Sequence, residues 1–233
     1  MKYVIIVFLI FLPLNVNSSI TFVNGSFEDT TSLQIGRPYG VGYWCGDICE
    51  VVEAMDGIVP YDGNQMVKFV NSTTYGPSSS SVASQLYQFI NLADYQAYIE
   101  TGEAQVTVSF YVNRIPGDSE MDTEFEVGID AFAGGPGNYP NSNYTTRMDS
   151  VLVGCLSNGD VATWERIQAE LTIPAGTDYL CIIISAVENV YNDGSLIEFD
   201  GQYCDFVEVN VFLPVAVEKS SWGMIKKVIN SHP

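Results

Sequence analysis

The chain has 233 residues, of which 47% are apolar, which is enough for the core of one all-β domain and too much for a disordered chain. It carries 28 acidic and 9 basic residues, for a net charge of −19. This charge repels the phosphates of nucleic acids and anionic lipids, so we expect neither as a partner, whereas neutral sugars and cations are compatible with it.

The N-terminal segment MKYVIIVFLIFLPLNVNSS predicts a secretory signal peptide over residues 1–18. Lys2 supplies the positive charge, and residues 4–14 form an apolar stretch that is short for a membrane span. Cleavage near Ser18 or Ser19 would yield a secreted or cell-surface protein with no membrane insertion. An uncleaved anchor is the alternative.

Residues 19–213 are expected to form one domain, because apolar and polar residues alternate with a period of two almost throughout. The predicted strands are ITFVNGSFE, CEVVEA, NQMVKFV, ASQLYQFI, QVTVSFYVN, FEVGIDAF, WERIQAELTIP, YLCIIISAV and CDFVEVNVFL. YLCIIISAV is apolar without interruption, as expected for a strand buried on both faces. Gly-, Pro- and Asp-rich turns separate the strands, and LADYQAYIETGEA allows only a short helical turn. About nine or ten strands predict an all-β fold, an antiparallel two-sheet jelly-roll sandwich.

Five cysteines occur in the chain, at Cys45, Cys49, Cys155, Cys181 and Cys204. Export would permit disulfides: Cys45 and Cys49 could close a small loop, and two of the other three could pair across the sheet. The pairing cannot be deduced from sequence, and the odd number leaves one thiol without a partner in the chain. The spacing fits no zinc pattern.

Residues 214–233 differ from the acidic body, because VAVEKSSWGMIKKVINSHP is basic and amphipathic. We interpret this tail as a short helix on a tether that contacts a surface or a sorting partner. A terminus without a role is the alternative.

Two loops combine aromatic with polar residues, RPYGVGYWCGDICE and GGPGNYPNSNYTTR. Aromatic faces stack on sugar rings, while amides, acids and arginines bind hydroxyl groups. The candidate ligand-binding residues are Arg37, Tyr39, Tyr43, Trp44, Asp47, Tyr139, Tyr144 and Arg147. Packing in the core is the alternative for the aromatic members, and for Trp164.

A series of motifs occurs in a characteristic order: NGSFE, the early Trp44, VPYDGNQMVKF, SQLYQFINL, VTVSFYVN, AELTIPAGTDYL and FDGQYCDFVEV. From Ile20 to Val211 the chain resembles galactose-binding-like jelly rolls, of the type found as secreted bacterial carbohydrate-binding modules. The resemblance implies glycan binding on a sheet face or at loop tips. It also implies a structural calcium ion between the first and last strands.

The calcium ligands that the resemblance implies are Asp205 in the last strand and Glu28 after the first. Asn24 and Asp200 are further candidates, with backbone carbonyl groups completing the shell. Carboxylates packed together without a cation would repel one another. The alternative is that these acids simply face water.

Catalysis finds little support, because the sequence contains no Ser-His-Asp arrangement, no HExxH and no phosphate-binding loop. A glycoside hydrolase with an acid pair among Glu124, Glu126 and Asp130 is the remaining enzymatic alternative. We therefore predict a non-catalytic, secreted carbohydrate-binding protein with a structural calcium ion. The alternative from another class is a structural or adhesive surface protein with protein partners.

Overall fold

The computed structural model describes residues 16–17, 20, 22–30, 33–71, 83–116, 123–139, 145–188 and 201–214. Within these ranges the chain forms two six-stranded β-sheets that enclose one main hydrophobic core. The predicted all-β two-sheet sandwich is therefore confirmed. Most of the predicted signal peptide and the tail after residue 214 lie outside the described residues, as do Tyr144 and Asp200.

The strands of the first sheet, numbered in chain order, are β1 (Val16–Asn17), β4 (Ile48–Val52), β5 (Met66–Asn71), β7 (Gln105–Arg114), β10 (Glu165–Thr172) and β12 (Gln202–Leu213). Their order across the sheet is β4, β5, β12, β7 and β10, and β1 pairs with the end of β12. All of these pairs are antiparallel. The strand β1 precedes the predicted cleavage point, so this pair would exist only in the uncleaved chain.

The strands of the second sheet are β2 (Leu33–Ile35), β3 (Trp44–Gly46), β6 (Ala83–Asn91), β8 (Thr123–Phe132), β9 (Arg147–Leu156) and β11 (Tyr179–Glu188). Their order is β2, β3, β6, β11, β8 and β9. Only the short pair of β2 and β3 is parallel among the described pairs.

Helical structure is limited to short turns in the described residues. A 3₁₀ turn, Ala93–Tyr95, leads into α1 (Gln96–Ile99), which confirms the predicted helical turn, and a second 3₁₀ turn covers Pro136–Asn138. None of the helices in this part of the chain is long and apolar enough to cross a membrane.

The alternating pattern determines which side chains enter the core. Val106, Val108 and Phe110 on β7 are fully buried, and Phe125 and Val127 on β8 meet them from the other sheet. Strand β11 is buried along most of its length on both faces, as its continuous apolar run predicted. The polar residues of β8 and β10 consequently lie on the outer faces of the two sheets.

The segment ITFVNGSFE was predicted to be the first strand, but the described residues 22–30 contain no strand and turn at residues 25–26. The side chain of Gln88 bonds both the N–H and the carbonyl group of Val23, at 2.9 and 3.0 Å, in place of a neighbouring strand. The Asn24 side chain bonds both backbone groups of Asp29, and Asn24 and Phe27 adopt left-handed φ angles of 50° and 55°. These local bonds compete with strand pairing.

The predicted disulfides are absent, because all five cysteines lie in the described residues and are free thiols. Cys45 and Cys49 belong to strands of different sheets, and their sulfur atoms approach the Tyr87 carbonyl and the Ser84 hydroxyl respectively. Cys155 and Cys181 are separated by β8, so two strand spacings of about 4.8 Å exceed the reach of a disulfide. Cys204 lies in the other sheet.

Candidate functional site

A groove of about 410 Å³ lies on the outer face of the second sheet, across β6, β11, β8 and β9. This volume is within the range of small-molecule sites. The polar residues that line it are Gln85, Glu126, Asp130, Arg147, Ser150 and Ser185. Tyr87, Leu152 and Ile183 supply its apolar surface.

Strand alternation explains why polar residues collect in this groove. On β8, Phe125, Val127 and Ile129 point into the core, so Glu126 and Asp130 point outward. The register places Glu126 opposite Ser185 of β11, and Asp130 opposite Ser150 of β9. The pairing of distant strands therefore assembles polar groups that are far apart in sequence.

Three pairs of polar side chains orient the hydrogen-bonding groups of the groove. The Ser185 hydroxyl donates to Glu126 Oε2 at 2.9 Å, and the Tyr87 hydroxyl donates to Gln85 Oε1. At one end, Arg147 Nη1 lies 3.6 Å from Asp130 Oδ1. These contacts fix side-chain positions before any ligand arrives, which lowers the entropic cost of binding.

The Asp130 carboxylate is only 5% exposed, and this burial raises its pKa. The guanidinium group of Arg147 acts in the opposite direction, both through its charge and through a hydrogen bond. Arg147 itself keeps 41% of its side chain exposed. The pair therefore presents a solvent-accessible donor that a buried carboxylate holds in place.

The depth of the groove depends on Gly128. A Cβ atom at this position would lie 3.3 Å from Ile183 and 3.4 Å from Leu152, so a larger side chain would fill the floor. Leu152 is 60% exposed and forms an apolar wall. The result is a depression with an apolar floor and sides that carry polar groups beside the apolar Leu152.

A second hydrophobic cluster on the same face packs beside the groove. Tyr139, a predicted ligand-binding residue, is 7% exposed and lies edge-on to Phe89 and Phe132, with ring centroids 5.0 and 5.4 Å away. Tyr43, another such candidate, is half-buried against the same cluster. Both tyrosines therefore support the loops above the sheet through packing.

Trp44 is fully buried, and its indole nitrogen donates to the Asn24 carbonyl at 3.1 Å. Its ring packs on Phe22 and Phe27, each with centroids 5.5 Å away. Trp44 is therefore a core residue, as the alternative for the aromatic candidates held, and its ring is not accessible to a ligand in this structure.

The remaining described candidates do not line the groove, except Arg147. Arg37 and Tyr39 are exposed on the loop before β3. Asp47 is 4% exposed, accepts the Gln85 N–H at 3.0 Å, and borders a smaller cavity of about 270 Å³ near β2. Most of the residues that line the groove were not among the candidates predicted from the sequence. The alternation in SQLYQ and FEVGID is the signal that places alternate residues of each strand on one face of the sheet.

Two of the predicted calcium ligands converge on one loop, residues 61–65, which we call the acid-bound loop. Glu28 Oε1 accepts the N–H groups of Asn64 and Gln65 at 2.8 and 2.9 Å. Asp205 Oδ2 accepts the N–H group of Asp62 at 2.9 Å. Asn24, by contrast, bonds the backbone of Asp29.

Asp205 is fully buried, and this burial raises its pKa to about 7. Hydrogen bonds from the backbone of Asp62, Phe206 and Tyr61 oppose the shift, while the Asp62 charge adds to it. The Asp62 side chain itself is exposed, so only Asp205 holds its carboxylate in a poorly hydrated place. In the described part of the chain, however, no three His, Cys, Asp or Glu side chains gather as a metal cluster.

The acids of the groove are poorly placed for glycoside hydrolysis. Glu126 and Asp130 are four residues apart on one strand, which corresponds to about 13 Å between their Cα atoms. Hydrolases hold their two carboxyl groups about 5 to 9.5 Å apart. This pair does not support the hydrolase alternative.

No protein-family model matches the sequence, and no curated protein matches it significantly. Among solved structures, the chain is similar to the C-terminal family 22 carbohydrate binding module of Clostridium thermocellum Xyn10B, with 16% identity, 84% of this chain and 98% of that chain covered, and a TM-score of 0.40. It is also similar to a xylan-binding domain of the same family, with 15% identity, 85% and 96% coverage, and a TM-score of 0.42.

A third similar structure is the enzymatically active domain of tailspike protein 4 from bacteriophage CBA120, with 12% identity, 82% of this chain covered and a TM-score of 0.42. This chain spans only 21% of that protein. Carbohydrate-binding modules are thus among the solved structures that the chain resembles, as the sequence motifs indicated. Likenesses this distant do not assign a ligand.

Proposed function

We propose that this protein binds carbohydrate without catalysis and that the groove on the second sheet holds a glycan. The observation that carries the proposal is the combination of oriented donors and acceptors with an apolar floor in one cavity of about 410 Å³. A sugar ring has the same amphipathic character, because its hydroxyl groups lie at the rim and its C–H groups on the faces.

Each kind of contact that a glycan requires has a residue in the groove. Arg147 donates hydrogen bonds, Glu126 accepts them, and Gln85 can do both. Leu152, which is 60% exposed, offers surface for the C–H face. Glu126 and Asp130 disfavour acidic sugars, as does the net charge of −19, so we expect a neutral glycan.

Affinity electrophoresis in gels that contain xylan, mixed-linkage β-glucan or galactomannan tests this proposal. We expect at least one polymer to retard the wild type. Glu126→Gln and Arg147→Gln should each weaken binding about tenfold, because each removes a charge-assisted hydrogen bond. Glu103→Gln makes a matched change at an exposed position outside the groove and should bind like the wild type. The proposal fails if no polymer retards the wild type, or if both groove variants bind normally.

We further propose that the acid-bound loop is the structural calcium site. Asp205 and Glu28 are candidates for the hard oxygen ligands that calcium prefers, and loop carbonyl groups and Asp200 are candidates for the remainder. The bound ion would supply the positive charge that relieves the repulsion between Asp62 and Asp205. These side chains also use oxygen atoms to hold the loop, so the ion would add to an existing arrangement.

Thermal unfolding in EDTA and after restoration of calcium tests the site. At a calcium concentration of 100 times Kd, the stabilisation would be about 2.7 kcal/mol, or about 5 to 10 °C in midpoint for a domain of this size. Asp205→Asn should abolish the rise, whereas Glu103→Gln should keep it. An unchanged midpoint of the wild type would refute the calcium proposal and leave the glycan proposal standing.

We also propose that the protein is exported, on the basis of its N-terminal sequence. Mass spectrometry of protein recovered outside the expressing cells should then find a new N-terminus near Ser18 or Ser19. Recovery of only intracellular, full-length chain would contradict export.

A further inference from the structure

Four aromatic side chains form a contiguous surface on the outer face of the first sheet, opposite to the groove. They are Tyr61 of the acid-bound loop, Tyr111 of β7, Trp164 immediately before β10, and Phe206 of β12. We call this surface the aromatic platform. Tyr61 and Tyr111 stack with ring centroids 3.6 Å apart and planes inclined by 15°.

The other two rings extend this stack sideways. Phe206 lies 5.8 Å from Tyr61 and 6.1 Å from Tyr111, and Trp164 lies 6.3 Å from Tyr61. Tyr61 remains 44% exposed, while the other three rings are half-buried. The platform thus places one accessible ring on a base of three supporting rings.

The platform is held in position before any ligand binds. The Trp164 indole nitrogen donates to the Val59 carbonyl at 2.9 Å. A side-chain hydrogen bond with Tyr111 raises the pKa of Tyr61. Rings fixed in this way lose little freedom when a ligand stacks on them.

The backbone at Phe206 indicates that its direction is specifically maintained. Phe206 has a φ angle of 50°, a left-handed value that is rare for a bulky residue. It lies in a β-bulge of β12, where the register shifts between Asp205 and Glu208. Bulges re-aim side chains, and this one directs Phe206 against the tyrosine stack.

A hydrogen-bond donor and an acceptor flank the rings. The register places Arg166 opposite Tyr111, and Glu208 opposite Ser109 two residues along the same strand. Arg166 Nη2 donates to the Ser109 hydroxyl at 3.0 Å, which holds the guanidinium group beside the platform. Both charges act on Tyr61, and both side chains are exposed.

This combination fits one class of ligand better than others. The exposed ring of Tyr61, flanked by a donor and an acceptor, matches a pyranose ring, which has apolar faces and hydroxyl groups at its edge. Nucleobases also stack on aromatic rings, but the net charge of −19 repels their phosphates. We propose that the aromatic platform is a second binding surface for neutral glycans.

The second surface goes beyond the proposed function of the groove, because it lies on the opposite face of the sandwich. The main core lies between the two sheets, so the groove and the platform face away from each other. One long glycan chain, or two separate chains, would therefore be needed to occupy both surfaces. Two weak contacts on a polymer bind more tightly than either alone. The protein would then link or wrap polysaccharide chains.

The same polysaccharide gels test the platform, with Tyr61→Ala introduced into the wild type and into the Glu126→Gln/Arg147→Gln double variant. We expect residual binding by the double variant and a further loss of about fivefold to tenfold with Tyr61→Ala. Arg166→Gln should weaken binding without altering any ring. Ile35→Ala, which truncates a side chain 73% exposed on the other sheet, is the matched control. Near-ultraviolet circular dichroism would verify folding.

The outcomes separate the two surfaces. Normal binding by both Tyr61→Ala and Arg166→Gln in both backgrounds overturns the platform and leaves the groove. If Tyr61→Ala and Arg166→Gln weaken polysaccharide binding while the groove variants bind normally, the platform is supported and the groove is overturned. A wild type that binds none of the three polymers overturns both.

Discussion

The buried Asp205 makes the stability of the metal-free protein depend on pH in an unusual direction. Its carboxylate receives N–H groups from Asp62 at 2.9 Å and from Phe206 at 2.7 Å, which favours the charged form. Burial outweighs these bonds and raises the pKa from its ordinary value of 3.8 to about 7. The folded state therefore holds the proton more tightly than the unfolded chain.

The sign of the effect follows from this difference. Below the unfolded pKa of about 4, the stabilising contribution of protonated Asp205 is fully present. It decreases as pH rises and is lost once pH passes the folded pKa of about 7. A difference of about three pH units corresponds to about 4 kcal/mol as an upper bound, with a slope of about 1.4 kcal/mol per pH unit.

Urea unfolding of the wild type and Asp205→Asn, in EDTA between pH 4.5 and 8, measures this contribution. The free energy of unfolding of the wild type minus that of the variant should fall by about 1.4 kcal/mol per pH unit and level off above about pH 7.5. The asparagine amide also replaces an acceptor by a donor, which costs about 1 to 3 kcal/mol but adds no slope. Parallel curves for the two proteins would refute the reasoning.

Three further changes test other parts of the structure. Gly63→Ala should destabilise the fold by about 1–2 kcal/mol in urea unfolding, because Gly63 has a φ angle of 67° and a Cβ atom would displace Glu28 Oε1; an unchanged midpoint would contradict this. Trp44→Phe should cost about 2–3 kcal/mol, because it leaves a cavity and removes the bond to the Asn24 carbonyl; a loss below about 0.5 kcal/mol would speak against a packing role. Iodoacetamide should modify all five thiols in urea. In the native protein it should not modify Cys181 or Cys204, because burial raises the pKa of both thiols well above 9.0. Labelling of either thiol in the native protein would show that the core opens.

The period of two was sufficient to predict the β-sandwich and the faces of its strands. Glu126 and Asp130 were correctly assigned to the face of β8 opposite to Phe125, because strand geometry alone determines which side chains alternate. The groove could not be predicted in the same way. It depends on β11 lying between β6 and β8, and this order of distant strands leaves no local trace in the sequence.

The burial of two aromatic candidates could not be predicted from the loops for a related reason. Trp44 and Tyr139 occur among glycines and prolines, which suggested exposed loop tips. In the structure both rings pack inward, since rings of this size lower the free energy most when they are buried. Among the described residues, Tyr39 is exposed on its loop, and the other accessible ring is Tyr61, which packs with the half-buried Tyr111 and Trp164 from distant strands.

The bulge in β12 connects the calcium proposal with the aromatic platform. Asp205 and Phe206 are consecutive, as are Tyr61 and Asp62. The Asp205 carboxylate binds the Asp62 N–H group in the interior, while the Phe206 ring contacts the Tyr61 ring on the outer face. Asp205 therefore holds Asp62 through a hydrogen bond, and Phe206 holds Tyr61 through a ring contact, from opposite sides of the same sheet. The buried carboxylate and the platform therefore share two adjacent pairs of residues, so Asp205→Asn is a substitution whose effect on polysaccharide binding should be measured together with its effect on stability.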